Sequence, residues 1–246
     1  MQQNIYDDPE FYTQYSKMAR SIGGLKSAGE WPVFQRLLPD LQGKRVLDLG
    51  CGYGWHCRYA VDQGAQAVVG VDLSEKMLAQ AKAINGDPAI TYQRAAIEEI
   101  DFPAQSFDAV LSSLAFHYVE RFDLVARKVY EVLAPGGAFV FSAEHPIFTA
   151  RAGQDWHYGE DGSRLHWPVD NYQQEGIRHS NWLADDVIKY HRTVESYVNT
   201  VIDAGFRLDR LAEPAPSPEA LAEHPEWIDE VRRPIFLLIA AARQSE

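Results

Sequence analysis

The residues best suited to chemistry begin with Asp48-Leu49-Gly50-Cys51-Gly52-Tyr53-Gly54, which ends the apolar run Arg45–Leu49. Alternating glycines let a backbone turn sharply and approach a ligand closely. If the run is a strand and Trp55–Gln63 a helix, free helix N–H groups face the carboxyl edge of a sheet, where open α/β sheets bind ligands. Trp55 stands where a dinucleotide loop has its third glycine, and an indole there crowds a pyrophosphate. Asp72 follows Gly50 by 22 residues, just after a second apolar run, Ala67–Val71. A carboxylate there can accept from both hydroxyls of a ribose. Asp72 alone does not separate one ribose-bearing cofactor from another.

A second group of reactive side chains lies further along. His145 follows the apolar run Ala138–Ala143, and its imidazole titrates near neutrality, so it is the first candidate for a general base. Tyr158, His179 and His191 are weaker candidates. The segment 144–186 is rich in aromatics and histidines with little periodicity. Within it Trp156, Tyr158, Trp167 and His179 are expected to wall a pocket for a planar or apolar molecule. Neither histidine nor cysteine falls at zinc-ligand spacing, so no metal site is expected.

The elements that would position these groups follow from periodicity. Phe11, Tyr12, Tyr15, Met18 and Ala19 predict one amphipathic helix over 5–20, ended at Gly23-Gly24. From Arg45 onward short apolar runs alternate with helical stretches. Strands are expected at Arg45–Leu49, Ala67–Val71, Ile90–Arg94, Phe107–Ser112 and Ala138–Ala143. Helices are expected at Trp55–Gln63, Ser74–Ile84 and Phe122–Leu133. Such alternation means βαβ units and a parallel sheet. It resumes after the insertion with Val187–His191, a helix near Thr193–Ala204, and strands at Phe206–Leu211 and Ile235–Ala241.

Val46–Gly54, Gly70–Leu73 and Phe107–His117, with Pro135-Gly136-Gly137 before the fifth strand, together resemble class I S-adenosylmethionine-dependent methyltransferases. The resemblance is strong over 43–145 and looser towards the C-terminus, where Tyr190–Phe206 resembles bacterial small-molecule members. It implies a single Rossmann-like α/β domain over 1–246, with a mostly parallel seven-stranded sheet and an antiparallel C-terminal strand. Residues 1–30 would form a helical lid, and 144–186 an insertion after the fifth strand that covers the substrate.

The same resemblance implies S-adenosyl-L-methionine as cofactor and assigns its contacts. Gly50 and Gly52 would pass the methionine part, and Asp48 would support the loop or reach the amino group through water. Asp72 would hold the ribose, with Leu73 and Met77 flanking adenine. Ala96 stands where the family usually has an acidic residue, so Glu98 or a water would replace it; Ile97 would donate its backbone N–H to adenine. The segment Ser112-Ser113-Leu114, with Ser113 at its centre, would meet the methionine amino group, and His117 would lie near the reactive centre. Tyr15, and less so Arg20, would meet the methionine carboxylate from the lid.

Methyl transfer from a sulfonium is a single displacement, so the protein mainly aligns the reactants and excludes water. Composition narrows the acceptor. A net charge of −12 argues against gripping a nucleic-acid backbone, which favours a small-molecule acceptor. The longest apolar run, Ile235–Ala242, has eight residues, against roughly 20 for a membrane-spanning helix. The acidic N-terminus does not read as a signal peptide, and Cys51 and Cys57 suggest no disulfide, so a cytoplasmic monomer or homodimer is expected. Two other readings are an NAD-dependent oxidoreductase, disfavoured by Trp55, and a non-catalytic module that only holds the cofactor.

Overall fold

The computed structural model describes residues 3–245, so the ends of the expected 1–30 lid and 1–246 domain lie outside the described residues. Five strands, β1 (Arg45–Leu49), β2 (Ala67–Asp72), β3 (Ile90–Arg94), β4 (Phe107–Ser113) and β5 (Leu133–Glu144), pair in parallel. Two short hairpins, β6 (His157–Tyr158) with β7 (Arg164–His166) and β8 (Gly176–Trp182) with β9 (Ala184–His191), stand outside this sheet. The last two strands, β10 (Phe206–Ala212) and β11 (Phe236–Arg243), complete seven in the order β10-β11-β5-β4-β1-β2-β3. Within this sheet β11 alone runs opposite to the other six strands.

The chain leaves β1 for β2 and β3, then returns to β4 on the other side of β1. This reversal opens a crevice beyond the carboxyl ends of β1 and β4, the usual ligand position in open α/β sheets. Alternate residues of β1 enter opposite layers of core. Leu47 and Leu49 join Phe116, Phe139, Phe141 and Tyr197 on one face, and Val46 joins Phe34, Cys57 and Leu111 on the other. Both faces are covered, so the central strands read as continuous apolar runs.

The N-terminal region departs from one expected helix. It forms α1 (Pro9–Tyr15) and α2 (Ala19–Gly23), separated at Met18, whose ψ of 147° is extended. Asp8 starts α1 by accepting from the N–H groups of Glu10 and Phe11, both at 2.9 Å. The Tyr15 carbonyl accepts the Met18 N–H at 3.0 Å and Ser21 Oγ at 2.7 Å, which stabilises the break. Next come α3 (Trp31–Leu37), α4 (Trp55–Asp62), α5 (Glu75–Asn85), α6 (Phe122–Val132), α7 (Pro146–Thr149), α8 (Val194–Asp203) and α9 (Pro218–Glu223).

The expected strand Val187–His191 exists but belongs to β9 and not to the main sheet. Its partner β8 lies inside the segment read as irregular, and the two turn at Leu183, whose φ is +60°. Val187, Lys189 and His191 alternate on the buried face of this hairpin. The strand period was therefore real; which edge it would pair with depended on a partner without a clear apolar signal.

Candidate active site

The glycine loop is tied to β2 by its own backbone. The N–H groups of Gly50 and Cys51 both donate to the carbonyl of Val71, at 2.8 and 2.9 Å. Gly50 has φ +73°, and a Cβ there would sit 2.5 Å from Ala115 Cβ, so only glycine lets the β1 and β4 loops close on each other. Gly52, at φ +54°, donates its N–H to Asp72 Oδ2 at 2.8 Å. Asp72 Oδ1 accepts from the Ser74 N–H at 2.9 Å, and each oxygen keeps a further lone pair. Burial pushes the Asp72 carboxyl above the ordinary carboxylate range.

A cavity of about 450 Å³ opens over the carboxyl ends of β1, β2, β4 and β5. Asp72, Leu73, Met77, Ala96, Ile97 and Glu98 line one part of it. Tyr15, Arg20, Gly50, Gly52 and Ser113 line another, and a smaller recess of about 50 Å³ shares these five residues. Arg20 Nη2 donates to Glu30 Oε1 at 3.0 Å, and Ser113 Oγ to the same oxygen at 3.2 Å. Burial works against the Arg20 charge, but Glu30 beside it raises the guanidinium pKa above its usual value. A permanent cation therefore faces the cavity next to the glycine loop.

The remaining wall combines aromatic rings with a polar cluster. Tyr6, Tyr118, Phe148 and Trp182 line it, together with His117, Glu144, Gln154 and Lys189. Lys189 Nζ lies 2.6 Å from Glu144 Oε1 and donates to Gln154 Oε1 at 2.8 Å. Gln154 Nε2 donates to Glu144 Oε2 at 2.8 Å, which closes the ring of contacts. Lys189 is 1% exposed, and its ammonium stands 5.3 Å from the Trp182 ring centroid. His117 Nδ1 accepts the Glu144 N–H at 3.3 Å, so neutral His117 carries its proton on Nε2, 3.9 Å from Glu144 Oε1. Burial lowers the His117 pKa to about 4. Burial alone would raise the Glu144 carboxyl, but His117 and Lys189 hold it below its ordinary value.

Most sequence-expected residues meet at this cavity: Tyr15, Gly50, Gly52, Asp72, Leu73, Met77, Ala96, Ile97, Ser113 and His117 all line it. Asp48 sits behind the loop, 1% exposed, with Oδ2 accepting from Cys57 Sγ at 3.3 Å. Burial raises its carboxyl to about 7.

The structure does not bring His145 to the cavity. Its Nδ1 caps α7 by accepting the Ile147 N–H at 3.1 Å, and its Nε2 is engaged by Glu213 at 2.7 Å. The expected pocket walls also lie elsewhere. Trp156 and Trp167 enclose the Arg233 guanidinium, 5.0 and 4.2 Å from the two ring centroids. Tyr158 and His179 are exposed and bond Asp155 and Asp186.

Sequence reasoning passed over Glu144, Gln154 and Lys189, and counted Trp182 only among the aromatics of the inserted segment. Two signals were available. Glu144 ends the fifth strand at the functional sheet edge, and Lys189 interrupts the inward face of an alternating run.

The residues around the loop fit S-adenosylmethionine. Three buried polar atoms there lack a protein hydrogen-bond partner: Asp48 Oδ1, behind the loop, Trp55 Nε1, whose residue lines the recess, and Glu30 Oε2, beside Arg20 and Ser113. Asp72 offers acceptors to a diol, Arg20 offers charge to a carboxylate, and the volume suits a small-molecule ligand.

Known proteins agree. A family model described as a methyltransferase domain matches residues 47–141. An uncharacterised Haemophilus influenzae protein is 34% identical, over 98% of this chain and 97% of its own. A Listeria monocytogenes structure, provisionally assigned as an S-adenosylmethionine-dependent methyltransferase, is 50% identical with a TM-score of 0.85, over 90% of this chain and all of that one. The structure of an S-adenosylmethionine-dependent methyltransferase from Mesorhizobium loti is 47% identical with a TM-score of 0.84, over 89% of this chain and 100% of its own. Sharing its fold and about half of its aligned residues with these structures, the chain belongs to the class I S-adenosylmethionine-dependent methyltransferases.

Proposed function

We propose that the enzyme transfers the methyl group of S-adenosylmethionine to a small planar or apolar acceptor by direct displacement. Continuity of the cavity carries this reading: one space joins the glycine loop and Asp72 to a chamber walled by Tyr6, Tyr118, Phe148 and Trp182. Aromatic walls favour a flat molecule over a flexible polar one. The cofactor supplies an electrophilic methyl carbon on a sulfonium sulfur. Asp72 holds the ribose hydroxyls, and Leu73, Met77 and Ile97 enclose the adenine. Arg20 and Tyr15 bind the methionine carboxylate, while the rings of the chamber align the acceptor and exclude water.

In this reading residues 1–30 act as a lid and 144–186 covers the acceptor, within one domain spanning 1–246. Two straps support it. Gln3 donates from Nε2 to the Asp186 carbonyl and accepts the Ile188 N–H at Oε1, both at 2.8 Å. Asp7 accepts from Ser74 Oγ and from the Lys76 N–H at the start of α5, so the lid is held at both the hairpin and that helix. Membership of the family sets aside the NAD-dependent oxidoreductase and the non-catalytic module.

Calorimetry with S-adenosylhomocysteine tests the reading. The wild type should bind with a Kd of about 1–10 µM, and Arg20→Gln should weaken it about tenfold, the value of a charge-assisted hydrogen bond. Binding of 5′-methylthioadenosine, which lacks the amino-acid tail, should be unchanged in the variant. Absence of S-adenosylhomocysteine binding to the wild type would refute the proposal.

A further inference from the structure

The polar cluster at the chamber end has no part in holding the cofactor as proposed above. Its four members come from the loop after β4, the end of β5, the segment after α7 and the hairpin strand β9, yet all face the same cavity. Burying a lysine and a carboxylate there is costly unless each donor and acceptor is used. Between themselves they use only part of their capacity. Glu144 accepts one strong hydrogen bond at each oxygen and retains lone pairs. Lys189 spends two N–H groups on Glu144 and Gln154, and its charge lies over the Trp182 ring.

His117 cannot serve as the proton acceptor in this arrangement. Its Nδ1 lone pair already receives the Glu144 N–H, and Nε2 carries the proton, so the ring offers only a donor to the chamber. His145 is engaged elsewhere. Glu144 is the carboxylate acceptor that lines the cavity beside the aromatic walls. The ammonium of Lys189 balances its charge, so the cluster as a whole is neutral. An anionic or cationic acceptor would lose its hydration here without finding an uncompensated counter-charge.

Resting on the methyl-transfer reading above, we infer that Glu144 receives the acceptor's proton, and that the acceptor is a neutral planar molecule with an N–H or O–H beside a carbonyl oxygen. The acidic hydrogen points at Glu144, and the carbonyl oxygen accepts from Lys189 or His117 Nε2. A lone pair on the acceptor nitrogen or oxygen forms the new bond to the methyl carbon while the carbon–sulfur bond breaks, its electrons remaining on sulfur. The hydrogen leaves the acceptor as a proton to a Glu144 oxygen, and its bonding pair stays on the methylated atom. A carboxylate of low basicity suffices, because methylation makes that hydrogen strongly acidic.

Three compounds with one flat bicyclic frame test this on the full chain saturated with S-adenosylhomocysteine. They are 2-quinolinone, with N–H beside carbonyl, 1-methyl-2-quinolinone, without the donor, and quinoline-2-carboxylate, an anion. By calorimetry 2-quinolinone should bind at least about tenfold more tightly than either, the worth of one hydrogen bond to a charged group. Glu144→Gln should abolish that preference and, with S-adenosylmethionine, the 2-quinolinone-dependent formation of S-adenosylhomocysteine, while leaving S-adenosylhomocysteine affinity unchanged. Equal or tighter binding of the carboxylate or the N-methyl compound overturns the inference, as does undetectable binding of 2-quinolinone. Turnover retained in Glu144→Gln does the same. The wild-type comparison stands even if the variant does not fold. Failure of S-adenosylhomocysteine itself to bind would instead strike the methyl-transfer reading.

Discussion

The two ends of the cavity are built by different physics. At the loop end the contacts run between backbone groups of β1 and β2, and Asp72 ties Gly52 to the start of α5. Its partners lie within about one βαβ unit of sequence. At the chamber end the contacts are between side chains of His117, Glu144, Gln154 and Lys189, and their geometry depends on the hairpin packing onto the sheet. One end follows from the sheet itself. The other is assembled on top of it, by side chains that the hairpin brings to the sheet edge.

Mutation separates the ends most sharply at Lys189. Lys189→Met leaves Glu144 buried without its cation and should cost about 3 kcal/mol of stability in urea denaturation, as broken buried pairs do. Adding Glu144→Gln should restore part of that loss; a double variant as unstable as the sum would show that the pair does not act as a unit. At the loop end, Gly50→Ala forces φ +73° on an alanine and drives its Cβ against Ala115. It should cost about 2 kcal/mol and abolish S-adenosylhomocysteine binding, read by thermal unfolding and calorimetry together.

The ends should also respond to pH with opposite sign. His117 has its pKa lowered by burial to about 4, against an unfolded value near 6.5. Between these values the unfolded chain binds more protons, so its contribution to stability is lost as pH falls from about 6.5 to 4. Asp48 is raised by burial to about 7 from an unfolded value near 3.9, so its contribution is lost as pH rises from about 4 to 7. Relative to wild type, His117→Gln should therefore gain on acidification and Asp48→Asn should lose, each by about 2 kcal/mol across the window. Denaturation curves of both variants at pH 4.5 and 6.5, without cofactor, check the signs. The smallest expected effect is Asp72→Ala, which should weaken S-adenosylhomocysteine by about 1–2 kcal/mol in calorimetry through loss of hydrogen bonds to a carboxylate.

The same division explains what could be read from the chain alone. The five parallel strands, the loop and the aspartate at the second strand's end all appear in the order of residues. The N-terminal helix was misjudged because Asp8 and Ser21 offer local caps that outweigh an amphipathic period. The aromatic residues of 144–186 carried a real signal, but Trp156 and Trp167 use their faces to hold Arg233. Trp182, from the same segment, lines the cavity.

The sequence by itself determined the sheet, the glycine loop with its positive φ values, and the carboxylate that closes it. These depend on short-range backbone geometry and on period-two burial, which are properties of neighbouring residues. Only the tertiary structure decided that His117 faces the cavity while His145 caps a helix, and that Glu144 meets Lys189 across 45 residues of chain. Those outcomes rest on how an inserted hairpin packs against a sheet edge. Side chains that are far apart in sequence meet only through that packing.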